Sequence, residues 1–141
     1  MNRREEKSRV PCLIPGNDDK GGIPLVTVFD IVKTFGLQMR TGKDRLHEEV
    51  TGGYASDLLS DVIAHSRKGN IWITIQTHPN IVAVATMKEL SGIILTGGRE
   101  PDADTIQKAE EEGISILVSP LFTFELVGRL YQMGISGMSP C

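Results

Sequence analysis

Cysteine is almost missing from this chain: two in 141 residues, Cys12 and Cys141, near opposite ends. Neither has a metal-ligand spacing, so a disulfide framework or zinc site is not expected, and a reducing cytoplasm suits the chain. Aromatic residues make up 5%, too few for stacking platforms that grip single-stranded nucleic acid. No charge sign dominates. Fifteen basic against eighteen acidic side chains leave −3, and so no basic field for nucleic acid or anionic lipid. No apolar run reaches the ~18–20 residues of a membrane span, and no signal-peptide core follows the first arginines. Also missing are the G-x-x-x-x-G-K-[ST] phosphate loop, G-x-G-x-x-G, the G-x-S-x-G elbow and C-x-x-C. Thr41-Gly42-Lys43 carries only the tail of the first. These absences predict a soluble, cytoplasmic protein with no catalytic signature, no metal and no membrane or nucleic-acid partner.

What is present is ordinary globular material, with 40% hydrophobic and 23% charged residues in a length that suits one domain. Residues 1–22 differ. A mixed charge run (Arg3, Arg4, Glu5, Glu6, Lys7, Arg9) precedes Pro11, Pro15, Gly16, Gly21 and Gly22. That composition cannot bury enough apolar area to fix its backbone, and a mobile tail is expected. The folded domain is expected over 23–137.

Thr27 reads as an N-cap with Asp30 in a capping-box position, Val28, Ile31, Val32 and Phe35 at helical spacing, and Gly36 as the stop. Leu37 to Met39 is a short extended piece, and Thr41 to Glu49 a polar loop. Four apolar runs then read as strands: Val50 with its neighbours, Ile71–Ile75, Ile93–Leu95 and Ile114–Val118. Helices are predicted near 57–67, 80–90, 103–112 and 122–133, with Gly69, Gly113 and Gly134 as C-terminal caps. Strand–helix alternation with short connections predicts an α/β fold, a mainly parallel sheet of four to five strands with helices on both faces. The stretch Ile81 to Ala85 is apolar all round. It must be sandwiched inside the domain or buried against another subunit. Trp72 reads as core or interface.

A weak repeat sets Thr51-Gly52-Gly53 against Thr96-Gly97-Gly98, each leading to a helix with Asp57 or Asp102 at its N-cap. Thr51, Thr74, Thr96 and Ser119 fall 23, 22 and 23 residues apart. This beat predicts that the strand-to-helix loops share one edge of the sheet. Ligands of open parallel sheets sit outside the carboxyl ends of the strands, at a change in strand order. The candidate anion-binding residues are therefore Thr51, Gly52, Gly53, Thr77, His78, Asn80, Thr96, Gly97, Gly98, Arg99 and Ser119. Paired glycines let backbone N–H groups approach a phosphate or carboxylate, and hydroxyls, helix N-termini and Arg99 add donors. Against this stand plain alternatives: Gly-Gly after a strand is often only a turn, and His78 a turn residue with one satisfied nitrogen. His65, late in a helix, and His47, in a polar loop, read as structural and solvent-facing. Asp57 and Asp61 share a helix face but lack a third metal ligand.

The strings Thr51-Gly52-Gly53-Tyr54-Ala55-Ser56-Asp57-Leu58-Leu59-Ser60-Asp61, Trp72-Ile73-Thr74-Ile75-Gln76-Thr77-His78, Asn80 to Ala85 and Ile94-Leu95-Thr96-Gly97-Gly98 resemble stand-alone DRTGG-domain proteins, over about residues 25–135. Such domains also occur fused to phosphotransacetylase and between the CBS domains of some inorganic pyrophosphatases. The chain is similar too to the N-terminal domain of HPr kinase/phosphorylase, through Leu37 to Val50. In those larger proteins the chemistry lies in another domain. The resemblance therefore implies a regulatory or assembly module, commonly dimeric; stand-alone members are encoded near iron-only hydrogenase subunits, which implies a protein partner. One departure stands out: relatives carry an Asp-Arg pair ahead of Val50, where this chain has His47-Glu48-Glu49 and Asp44-Arg45 displaced upstream. The leading expectation is a non-catalytic module that self-associates and binds a small anion, a nucleotide or phosphate, with no other cofactor. The alternatives are a pure protein–protein adaptor in a metabolic or hydrogenase-related complex, and a small enzyme using His78 with Asp57 or Asp61.

Overall fold

Thr27 starts the first helix as its spacing predicts. Its side chain accepts from the Asp30 N–H at 3.3 Å, and its own N–H donates to Asp30 Oδ2 at 2.9 Å. Helix α1 (Val28–Phe35) thus begins with a reciprocal capping box and ends on Gly36 at φ 63°. The Val28 and Phe29 N–H groups, orphaned by helix geometry, donate to the carbonyls of Glu48 and Leu46. The computed structural model describes residues 25–137. The expected tail, 1–22, and both cysteines lie outside the described residues.

The remaining elements are β1 (Gln38–Thr41), a 3₁₀ turn (Lys43–Arg45), β2 (Gly52–Ala55), α2 (Leu59–His65), β3 (Asn70–Thr74), α3 (Asn80–Lys88), β4 (Gly92–Leu95), α4 (Ala103–Glu112), β5 (Ile116–Val118) and α5 (Thr123–Gln132). One five-stranded sheet has the order β1-β5-β4-β3-β2. Strands β2 to β5 are parallel to their neighbours, while β1 runs antiparallel to β5. The α/β architecture, the mainly parallel sheet and the helices on both faces agree with the sequence pattern.

Alternation along the strands divides the core in two. Trp72, Ile93, Leu95 and Ile116 face α2, α3 and α4; Ile71, Ile73, Ile94 and Leu117 face α1 and α5. Trp72 is fully buried, and its indole N–H donates to the Ser56 carbonyl at 2.9 Å. Helix α3 buries Ile81, Val82, Val84 and Ala85 while lying between α2 and α4. These apolar residues are therefore buried within the domain.

Three local expectations are corrected. The first parallel strand is Gly52–Ala55, not a run centred on Val50. Val50 instead packs in the α1–α5 core, its N–H donating to the Val26 carbonyl at 2.7 Å. Nor does Asp57 cap α2: Leu58 holds the N-cap position, and Asp57 accepts from Thr74 Oγ1 and the Ile75 N–H, each at 2.9 Å. Asp102 does occupy the N-cap of α4, but without a side-chain hydrogen bond. Of the glycine caps, Gly113 closes α4 at φ 73°, whereas α2 ends on Ser66 and α5 on Met133, with Gly69 and Gly134 in the turns beyond.

Strand β2 is a sheet edge, and the segment after α5 covers it. The Gly53 N–H donates to the Ser136 carbonyl at 2.9 Å, and a Cβ on Gly52 would stand 2.9 Å from that same oxygen. The edge is blunted by close backbone approach, for which only glycine leaves room. Thr27→Ala should lower the unfolding free energy by about 1 kcal/mol through loss of the cap. Gly52→Ala should cost about 1–3 kcal/mol by forcing Ser136 away from the strand. Urea melts followed by circular dichroism check both; a neutral Gly52→Ala would show that the C-terminal segment does not hold the edge.

Candidate functional site

The carboxyl edge of the sheet gathers the loops after β2, β3, β4 and β5. It holds Thr77, His78, Asn80, Thr96, Gly97, Gly98, Arg99 and Ser119, tied by direct bonds: Gly98 N–H to the Ser119 carbonyl, Gly97 N–H to the Leu121 carbonyl, and Asp102 N–H to the Thr77 carbonyl. Thr51, Gly52 and Gly53 do not join them. Gly52 pairs with Asn70 and Gly53 with Ile71, the first residues of β3, so all three lie at the opposite, amino edge. The expected common rim is therefore split. The spacing misled because Thr74, Thr96 and Ser119 end or follow their strands, while Thr51 precedes its own.

The strand order removes the other support for that rim. Strands β2, β3, β4 and β5 succeed one another across the sheet in chain order, so the parallel part has no reversal and no crevice where neighbouring loops diverge. The glycine N–H donors are also spent within the molecule. Both glycine N–H groups donate at 2.8 Å to the carbonyls just named. Thr96 Oγ1 bonds Thr123 Oγ1 at 2.8 Å, Ser119 Oγ accepts the Leu121 N–H, and Arg99 folds back to donate to the Thr96 carbonyl. The positive φ of Gly97 (67°) and Gly98 (72°) serves this turn. His78 Nδ1 accepts the Asn80 N–H at 3.1 Å, which fixes the tautomer with the proton on Nε2. That is the satisfied turn histidine, with one nitrogen left facing solvent.

Neither carboxylate considered for a catalytic pair bonds His78. Asp57 links the loop before α2 to the end of β3. Asp61 takes the Tyr54 hydroxyl at 2.8 Å and His65 Nδ1 at 3.1 Å. Among the described residues no group of three or more His, Cys, Asp or Glu side chains could hold a metal ion, and no helix is long and apolar enough to cross a membrane.

Open space lies elsewhere. At the amino edge a cavity of about 390 Å³ is lined by Thr51, Gly52, Arg67, Lys68, Asn70 and Ser136. Its wall is built by the Thr51 hydroxyl donating to the Lys68 carbonyl, the Asn70 amide donating to Thr51 Oγ1, and the Arg67 N–H donating to Asn70 Oδ1. Its charged lining is cationic, with Arg67 and Lys68 and no carboxylate. Lys68 also reaches Glu89 outside the cavity at 3.4 Å. A wider groove, about 760 Å³, runs between α1 and α5 beside Phe35, Phe124, Val127 and Met133. Sequence reasoning missed both places. Arg67 and Lys68 were visible only as charges near a helix end, and the exposure of Phe124 is a tertiary fact with no local signature.

The model of the DRTGG domain family matches residues 30–133. The crystal structure of the CBS and DRTGG domains of the regulatory region of Clostridium perfringens pyrophosphatase, complexed with its activator diadenosine tetraphosphate, is similar in fold, with a TM-score of 0.60 at 19% identity. The match covers 74% of this chain and 45% of that one, so the chain spans less than half of its structural neighbour. No curated protein matches.

The Asp61 carboxyl is held below the usual range, first by the Tyr54 hydroxyl, then by Ser56 and by His65, against the opposing effect of partial burial. A depressed folded-state pKa contributes stability that is fully present above the unfolded value, about 3.9, and is lost as pH falls through the lower folded value. Tyr54→Phe removes the largest cause. The Asp61 titration midpoint, followed by carboxyl carbon NMR, should rise towards the unfolded value, and the variant should be less stable at neutral pH but lose less stability on acidification. An unmoved midpoint would mean that Tyr54 does not bond Asp61 in solution.

Proposed function

Because the chain belongs to the DRTGG domain family, we propose that it is a non-catalytic regulatory or assembly module that works by self-association as a dimer. The observation that carries this reading is where the few aromatics go. Phe124 stands 91% exposed at the start of α5, beside the apolar groove that Phe35, Val127 and Met133 line against α1. Single exposed apolar side chains are common, but a contiguous set rimmed by Glu125, Arg129 and Gln132 is the signature of an association surface. The regulatory region named for the structural neighbour agrees with such a role. Sedimentation velocity from low micromolar to several hundred micromolar should give a dimer, with a melting temperature that climbs with concentration. A monomer throughout that range would sink this reading and leave an adaptor for some other protein as the better one.

A second reading, capture of a small phosphate-bearing anion, is favoured by the amino-edge cavity. Its two cations and the Thr51 hydroxyl at its wall suit phosphate better than the carboxyl edge does, where the glycine N–H groups are already engaged. The neighbour's ligand, diadenosine tetraphosphate, is of that chemical class. Calorimetric titration with inorganic phosphate, ATP and diadenosine tetraphosphate tests it. Arg67→Gln with Lys68→Gln should weaken binding at least tenfold and Arg99→Gln should leave it unchanged; the reverse would return the site to the carboxyl edge. No heat at millimolar ligand removes the reading.

A further inference from the structure

Resting on the self-association just described, we propose that the dimer forms by two antiparallel α5 helices crossing at Gly128. The starting point is a glycine with no reason inside the chain. Gly128 sits mid-helix in α5, where glycine costs about 1 kcal/mol relative to alanine. Its φ is not positive, and among the described residues nothing lies within 4 Å of the position a Cβ would take. No turn and no contact among those residues therefore asks for it. A residue without a side chain on an outer helix face does have one use: it lets a second helix approach closely, towards the short end of the usual ~8–10 Å interaxial range.

The residues one turn to either side fit that use. Phe124 and Tyr131 flank Gly128 on the same stripe at i−4 and i+3, Phe124 almost wholly exposed and Tyr131 half exposed. In an antiparallel crossing centred on residue 128, position 124 of each copy faces position 132 of the other. The Phe124 ring then enters the far end of the partner's groove, where Gln132 and Met133 meet Phe35 of α1. Each copy provides the ring and the receiving groove, which is the self-complementarity a closed two-fold dimer needs.

Charge agrees. Glu125 and Arg129 lie one turn apart on one side of the stripe and bond at 3.1 Å within the helix. A two-fold axis in the interface plane keeps these side chains on the same side of the seam in both copies. It sets Glu125 about 3 Å along the axis from Arg129 of the second copy, from a rise of 1.5 Å per residue. Two pairs of opposite sign then bridge the seam. A stable interface covers about 800 Å² per partner, more than one helix stripe offers, so Thr34 and Phe35 at the end of α1 complete the contact.

Sedimentation equilibrium of the full chain decides it. Gly128→Gln and Phe124→Ser should each weaken the dimer at least tenfold without lowering the melting temperature at high dilution, since both positions are exposed. Glu125→Arg and Arg129→Glu should each weaken it alone, and an equimolar mixture of the two should restore a heterodimer. A dimer unmoved by Gly128→Gln and Phe124→Ser would overturn this seam while leaving self-association standing. A chain monomeric at every concentration would take both away. If dimers appeared only after removal of residues 1–22, the groove would belong to the chain's own N-terminal segment, and the inference would also fall.

Discussion

Four parallel strands laid side by side in chain order constrain everything else in this molecule. Helices α2, α3 and α4 all fall on one face, as successive crossovers of a single hand require. That face closes itself. Trp72, Ile93, Leu95 and Ile116 disappear under three helices, and α3 spends its apolar surface on its two neighbours. Among the described residues the opposite face has only α1 and α5 to cover it. Two helices shield the strands beneath, burying Leu126 and Leu130 of α5 and Val28 and Ile31 of α1. They leave each other's outer sides bare, and the groove between them is the geometric remainder of a one-sided winding.

The same ordering explains why the carboxyl edge, so suggestive in sequence, is closed upon itself. A reversal in strand order drives adjacent loops apart and opens a crevice. Here the loops after β3, β4 and β5 follow one another in the same direction and lie close enough to bond. Thr77, Asp102 and Thr105 form one such knot; Gly97, Gly98, Ser119 and Leu121 form another. Hydroxyl and glycine loops were read as outward donors. The glycine donors point inward, because without a crevice the nearest acceptors are the neighbouring loop's carbonyls.

How far the sequence could be read follows from which interactions are local. The α1 capping box, the Gly36 stop and the bounds of α4 all depend on residues within one or two turns, and each was legible. The number and parallel sense of the strands followed from alternation. Position on the sheet was not legible where a non-local contact decided it. Thr51-Gly52-Gly53 looks like Thr96-Gly97-Gly98, yet the first pair exists because Ser136, more than eighty residues later in the chain, presses its carbonyl against Gly52. The second pair exists for a left-handed turn. Identical dipeptides thus answer one steric demand and one conformational demand, and only tertiary structure tells them apart.

Gly128 makes a third case, since neither demand applies to it, and it connects the two surfaces that the fold leaves open. Helix α5 carries the exposed Phe124 stripe on its outer side, and the chain leaving its C-terminus supplies Ile135 to the core and Ser136 to the amino-edge cavity. A ligand in that cavity can alter association only through a difference in its affinity for two placements of this segment, however tightly it binds. The anchoring of that segment argues against a large difference: Ile135 is buried and the Ser136 carbonyl holds Gly53. On the proposed reading, then, association is built into the fold through a rigid helix, and any regulation by an anion must act through the few residues between Met133 and Gly137.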